Sequence, residues 1–204
     1  MAKILIITGP QGSGNHLYSK IFAMHPLVYG WKMNEYWEGH HKEPFAKYWD
    51  NPKLLSEYTW DKDYYVTSIS CPYYRDKKPQ TPKYIEFITE AEKYCDVIIG
   101  IIGRDKNILK VQQERVRKEN TTPIAIDEFK LLYKRNPYFL STELFYLYGQ
   151  DYLKQLSEQM DFPIAWNHTT IIEDIMEKDS NKKYVQSVKE QTLDLEVYKA
   201  CDES

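Results

Sequence analysis

The stretch that most constrains the fold is the first one. Lys3-Ile4-Leu5-Ile6-Ile7-Thr8 is followed by Gly9-Pro10-Gln11-Gly12-Ser13-Gly14-Asn15-His16, and then by an apolar-periodic segment through Met24 that stops at His25-Pro26. The apolar run predicts a buried strand and the glycines a tight turn. Leu17, Ile21 and Met24 at helical spacing predict a short helix ended by Pro26. A strand–turn–helix unit aims backbone N–H groups, and the positive end of a helix dipole worth roughly half an elementary charge, at whatever occupies the turn. A phosphorylated ligand is the first expectation. The alternative is a turn rich in glycine for geometry alone.

Gly9 and Gly14 have the G-x-x-x-x-G spacing of nucleotide-binding loops, yet Asn15 and His16 stand where such loops carry lysine and then serine or threonine. Without lysine no point charge reaches the β- and γ-phosphates, and without the hydroxyl a usual Mg²⁺ ligand is gone, which argues against routine ATP or GTP hydrolysis. The cradle remains: Gly12 and Gly14 permit close backbone approach, and Ser13 adds a hydroxyl donor. His16, in the first helical turn, reads equally as a phosphate contact or as a cap.

At 204 residues the chain fits one domain over 1–204 with a substantial core. A net charge of −3, from 27 basic and 30 acidic residues, marks no nucleic-acid or anionic-membrane binder. Three cysteines, Cys71, Cys95 and Cys201, form neither a disulfide framework nor a metal-ligand spacing, so no metal is expected. The sequence opens directly on a strand-like run, and no segment approaches membrane-spanning length. The chain therefore reads as cytoplasmic, with no membrane span and no nucleic-acid partner. Its 18 tyrosines read as packing and surface filling before any stacking role.

Further along, Leu27 to Trp31 predicts a second strand, and Asn34 to Trp60 short helices and loops. Asp63 to Ser70 predicts a strand that leads into a loop over Tyr73 to Gln80. Thr81 reads as a helix cap with Pro82 in the first helical position, and Tyr84, Ile88, Ala91 and Cys95 share a face. Asp96 to Ile102 is the near-continuous apolar run of a parallel strand covered on both faces. A charged helix follows over about Asn107 to Lys118. Pro137 to Leu140 predicts a last core strand, with Ser141 or Thr142 capping helical segments through Met160 that Gly149 interrupts. Asn167 caps a helix carrying Ile171, Ile172 and Ile175, and Lys182 to Tyr198 reads as helical. Alternating strands and helices imply an α/β three-layer sandwich with a mainly parallel central sheet. Ligands of such sheets gather at the carboxyl ends of the strands, which puts the glycine loop, Glu35, Ser70 and Arg104 near one rim.

These residues resemble a known family. The run Gly9 to Gly14 with Leu17 and His25-Pro26 looks like the first motif of sulfotransferases, which have a P-loop-like fold. In them the loop binds the 5′-phosphosulfate of 3′-phosphoadenosine 5′-phosphosulfate (PAPS). Asp96 to Asp105 is similar to the second motif, an apolar strand ending in Arg-Asp. The resemblance implies PAPS as donor, a hydroxyl-bearing acceptor, and cofactor contacts from Gly9, Gln11, Gly12, Ser13, Gly14, Asn15 and His16. It also implies that Arg104, with Gln112 in the place of a serine eight residues on, contacts the 3′-phosphate.

The chain departs from the pattern at several places. Gly12 stands where many sulfotransferases carry a loop cation just before Ser-Gly. Ser70 stands where cytosolic members have the histidine base of Thr-His-Leu-Pro, and no Arg-Lys-Gly clamp is present, with Lys182-Lys183 only a feeble substitute. Candidates for the base are Glu35, which follows the second strand as a catalytic glutamate does in Golgi members, and His40 or His41. Against these stand an exposed loop glutamate and a pair of surface histidines. For Arg104 the alternative is a salt bridge to Asp105 or Glu114. Lys32, Arg75, Lys77 and Lys78 are loop cations that can stand in for the one missing at Gly12. Two other activities share the sequence pattern, an ATP-dependent nucleotide or nucleoside kinase and a nucleotide-binding module without catalysis.

Overall fold

A computed structural model describes residues 1–31, 43–75, 78–168, 172 and 173. In chain order the elements are β1 (Ala2–Pro10), α1 (Asn15–Ala23), β2 (Val28–Tyr29), α2 (Ala46–Asp50), a 3-10 turn (Pro52–Glu57), β3 (Tyr64–Cys71), β4 (Tyr73–Arg75), β5 (Lys78–Gln80), α3 (Tyr84–Ala91), β6 (Cys95–Gly103), α4 (Lys106–Arg117), α5 (Thr122–Leu132), β7 (Tyr138–Ser141) and α6 (Thr142–Met160). Five strands form one parallel sheet in the order β2-β3-β1-β6-β7, while β4 and β5 make a separate antiparallel hairpin.

The strands carry apolar side chains on both faces because both are covered. On β1, Ile4 and Ile6 enter one core with α3, α5 and the 45–55 segment, and Leu5 and Ile7 enter the other with α1 and α6. The result is a sheet flanked by helices, as the alternation implies. In the first core the Trp49 and Phe87 rings stack at 3.9 Å. Each fully buried side chain of this size contributes roughly 1.5–3 kcal/mol through removal from water. The helix after β1 lies on one face, whereas α3, after its neighbour β3, and α5, which follows α4 after its other neighbour β6, lie on the other. Connections thus diverge at the carboxyl end of β1, the position where such sheets leave a crevice.

Several boundaries differ from expectation. The second strand is two residues long, and Gly30 after it lies so close to the neighbouring strand and helix that a Cβ there would meet Val66 Cγ1 at 2.3 Å and Ala23 Cβ at 3.3 Å. Tyr73 to Gln80 contains the β4–β5 hairpin instead of a plain loop. Helix α3 starts at Tyr84 with Lys83 as its N-cap, because Tyr84 N–H turns back to the Pro82 carbonyl at 2.9 Å, so Thr81 does not cap it. Cys95 opens β6 and its Sγ donates to the Ala91 carbonyl. Helix α5 buries Ala125, Phe129 and Leu132 in a stretch whose pattern the sequence left unread. Ser141 does cap α6, accepting from Leu144 N–H at 3.1 Å, and Gly149 (φ 50°) interrupts that helix. Of the expected helices after Asn167, only His168, Ile172 and Glu173 fall among the described residues. No helix of the described residues is long and apolar enough to cross a membrane.

Phe87 and Ile85 lie on the same helix at opposite ends of the burial scale, 0% and 41% exposed. Phe87→Ala is expected to cost about 3–5 kcal/mol in urea unfolding and Ile85→Ala less than about 1 kcal/mol, with equal m-values.

Candidate functional site

The glycine loop between β1 and α1 is held by its carbonyl groups. Every carbonyl from Gly9 to Gly14 accepts a hydrogen bond. Asn15 Nδ2 donates to Gly9 O at 3.2 Å and Ser13 N–H to Pro10 O at 3.0 Å. Gln113 Nε2 donates to Gln11 O at 2.8 Å, and Arg104 Nη1 to Gly12 O at 2.7 Å. Thr142 Oγ1 donates to Ser13 O at 2.6 Å, and Tyr18 N–H to Gly14 O at 3.0 Å. A planar trans peptide sets each N–H opposite its preceding carbonyl. The bonds to Gln11, Ser13 and Gly14 carbonyls therefore turn the N–H groups of Gly12, Gly14 and Asn15 to the other side of the loop. Those three amides donate to no acceptor among the described residues.

Glycine is required here on two grounds. Gly12 and Gly14 have φ of 85° and 111°, in the left-handed region. A Cβ at Gly9 would lie 2.3 Å from Ser13 Oγ, and one at Gly12 would lie 2.5–2.9 Å from the amide of Gln112. Gln112, expected at a 3′-phosphate, thus covers the Gly12 backbone, and its Oε1 is buried with no partner among the described residues. The lysine position is filled by Asn15, whose Nδ2 also donates to Ser70 Oγ at 2.9 Å and ties the loop helix to the end of β3. The His16 ring packs edge-to-face on buried Trp31 at 5.3 Å, and Lys20 Nζ sits 4.2 Å above the same indole.

Three helices begin at this rim. Asp105 caps α4, accepting from Asn107 and Ile108 N–H, and Ser141 caps α6. Helix α1 has Gly14 as its N-cap and no side-chain cap, so its dipole faces the loop unscreened by a capping oxygen. Arg104, 9% exposed, reaches the loop from the end of β6, while Glu114 pairs with Lys110 and the Asp105 carboxyl caps α4. Helix α4 then runs across the rim: Gln112 and Gln113 sit on the loop, and Glu119 beyond its end accepts from the Tyr74 hydroxyl of the hairpin. Gln113 Oε1 also accepts from Thr121 N–H at 2.8 Å, which locks the amide orientation and ties the loop to the start of α5.

A carboxyl group missed in the sequence lies beside β3. Glu43 is 3% exposed; its carboxyl accepts from Phe45 N–H at 2.9 Å and Ser68 N–H at 3.3 Å, and Trp49 Nε1 supports neighbouring Thr67 Oγ1 at 3.1 Å. Burial pushes this carboxyl up to about 8, opposed by the Thr67 hydroxyl and the two backbone N–H groups. Cys71 and Cys95 are buried, which pushes both thiols up to about 12 and removes them as nucleophiles. The named bases Glu35 and His40, together with His41, Lys32 and Lys77, lie outside the described residues. Gln113, Thr142 and Glu43 are the residues that sequence reasoning missed. Gln113 is signalled only by its place beside Gln112, and Thr142 only as the alternative to Ser141 for the cap of α6.

Among the described residues no group of three His, Cys, Asp or Glu could hold a metal ion. Comparison of the chain with protein-family models, with curated proteins and with solved structures finds no match.

Gly12→Ala is expected to destabilise by about 1–3 kcal/mol, since it forces a side chain into φ 85° against Gln112; thermal unfolding measures it. Glu43 gives a pH signature of definite sign. Its folded-state value of about 8 lies above the ordinary 4.5, so the folded chain binds the extra proton and its stability falls as pH rises from about 4.5 to 8. Melting temperatures across that window should decline for the wild type, and Glu43→Gln should flatten the decline.

Proposed function

We propose that this protein binds the 5′-phosphosulfate of PAPS in the Gly9 to His16 loop and directs its sulfuryl group to a hydroxyl-bearing acceptor. The single observation that carries the reading is the loop itself. Six successive carbonyls are bonded, and the Gly12, Gly14 and Asn15 amides are turned to the opposite side at an uncapped helix start. Such preorganised N–H donors stabilise charge on a departing phosphate oxygen without rearranging. The position of the loop, after the central strand of a parallel sheet, supports a P-loop-like and sulfotransferase-like fold assignment within the same proposal.

In the proposed reaction the acceptor oxygen bonds to sulfur as the bond from sulfur to the 5′-phosphate oxygen breaks. 3′-Phosphoadenosine 5′-phosphate leaves, and the acceptor proton passes to a base, for which Glu35 and His40 are the candidates. The fate of Asn15 favours this donor over Mg²⁺–ATP. Its amide is committed to Gly9 and Ser70, so the residue in the lysine position brings no charge to a γ-phosphate.

Ligand-induced shifts in melting temperature test the reading, because binding to the folded state alone adds about 2.7 kcal/mol at a ligand concentration of 100 Kd. 3′-Phosphoadenosine 5′-phosphate should raise the melting temperature without Mg²⁺, and PAPS should be consumed with one of a panel of phenols, alcohols and glycans. Stabilisation by ATP only with Mg²⁺ would replace the proposal with a kinase. Stabilisation by the bisphosphate with no turnover on any acceptor would leave a nucleotide-binding module.

A further inference from the structure

We propose that Arg104 is a positioning residue for the 5′ end of the bound nucleotide, replacing from strand β6 the cation that the loop itself lacks, and that it does not read the 3′-phosphate. The inference rests on the phosphate-loop reading above and assigns the charge within it. Three observations carry it. The lysine position holds Asn15, whose side chain is bonded to Gly9 and Ser70. The position just before Ser13 disfavours a cationic side chain, because Gly12 has φ 85°, a backbone conformation that L side chains rarely adopt, and a Cβ there would have to displace the Gln112 amide. The Arg104 guanidinium comes to that same residue through space, with Nη1 2.7 Å from Gly12 O and the residue 9% exposed.

The bond has a structural and an electrostatic effect. Peptide planarity means that fixing the Gly12 carbonyl fixes the Ser13 N–H opposite, and that N–H closes the turn onto Pro10 O at 3.0 Å. Arg104 therefore holds the crest of the loop in the shape that presents the Gly12 and Gly14 amides. A permanently ionised guanidinium in a largely buried position also adds a charge that salt screens less than a surface one. Both effects act on whatever anion the loop holds and are indifferent to a second phosphate on the ribose.

A comparison of two ligands separates this from a 3′-phosphate contact. Affinities of adenosine 5′-monophosphate and 3′-phosphoadenosine 5′-phosphate are measured by calorimetry for the wild type, Arg104→Ala, Arg104→Lys and Gln113→Ala. Arg104→Ala is expected to weaken both nucleotides by the same factor, roughly ten- to hundredfold, leaving their ratio unchanged. Arg104→Lys should recover part of the loss, and it keeps the comparison available if the alanine variant fails to fold. Gln113→Ala, which removes a carbonyl partner and no charge, should weaken both nucleotides while leaving the salt dependence of binding as in the wild type. Arg104→Ala should reduce that salt dependence. A loss confined to the bisphosphate, or no loss for either nucleotide in folded variants, overturns the assignment of Arg104 and leaves the loop reading standing. Failure of the wild type to bind either nucleotide or pyrophosphate overturns both.

Discussion

The planarity of the peptide bond makes the six carbonyl contacts of the Gly9–Gly14 loop the interaction on which the rest depends. A loop of three glycines in six residues has more backbone freedom than any other stretch of the chain, and that freedom opposes any single shape. Bonds from Asn15, Arg104, Gln113 and Thr142 remove it one carbonyl at a time. Each contributes on the order of 1 kcal/mol net, and the bond from the charged guanidinium more. The direction of the amides follows from geometry once the oxygens are fixed.

The donors come from elements far apart in sequence, and the sheet register decides whether they meet. Parallel pairing sets Gly103 opposite Ser141, so β6 and β7 end side by side and deliver Arg104 and Thr142 to the same rim. Pairing of β1 with β3 brings Gly9 beside Ser70, within reach of Asn15. A one-residue slip in either ladder would send the alternating side chains to the wrong faces and withdraw these donors together. The shape of the loop is consequently tied to the register of the sheet that presents it.

Much of the architecture was legible in the sequence because it rests on periodicity. The unbroken apolar runs of β1 and β6 read as strands buried on both faces, and the Ser141 cap and the Gly149 interruption follow from local turn chemistry. The loop was legible as a candidate anion seat from its glycines. What holds it was not, since Gln113 and Thr142 act across 102 and 129 residues of sequence and no local pattern encodes such a bond. Arg104 was found as a candidate from its place at a strand end, while its contact with Gly12 needed three-dimensional packing. Glu43 was missed for a related reason: a carboxylate in Lys42-Glu43-Pro44 looks like solvent-facing loop, and its burial comes from Phe45, Trp49 and β3 closing around it.

The two-residue length of β2 leaves the outer edge of β3 without a strand partner beyond Tyr65 among the described residues, and there the Glu43 carboxyl takes the Ser68 N–H. An open strand edge is ordinarily a template for another chain, and a bonded carboxyl at its middle occupies a rung that a foreign strand would need. One side chain thus takes at Ser68 the rung that a further strand would take, along a stretch of β3 where Val66 to Ile69 are fully buried.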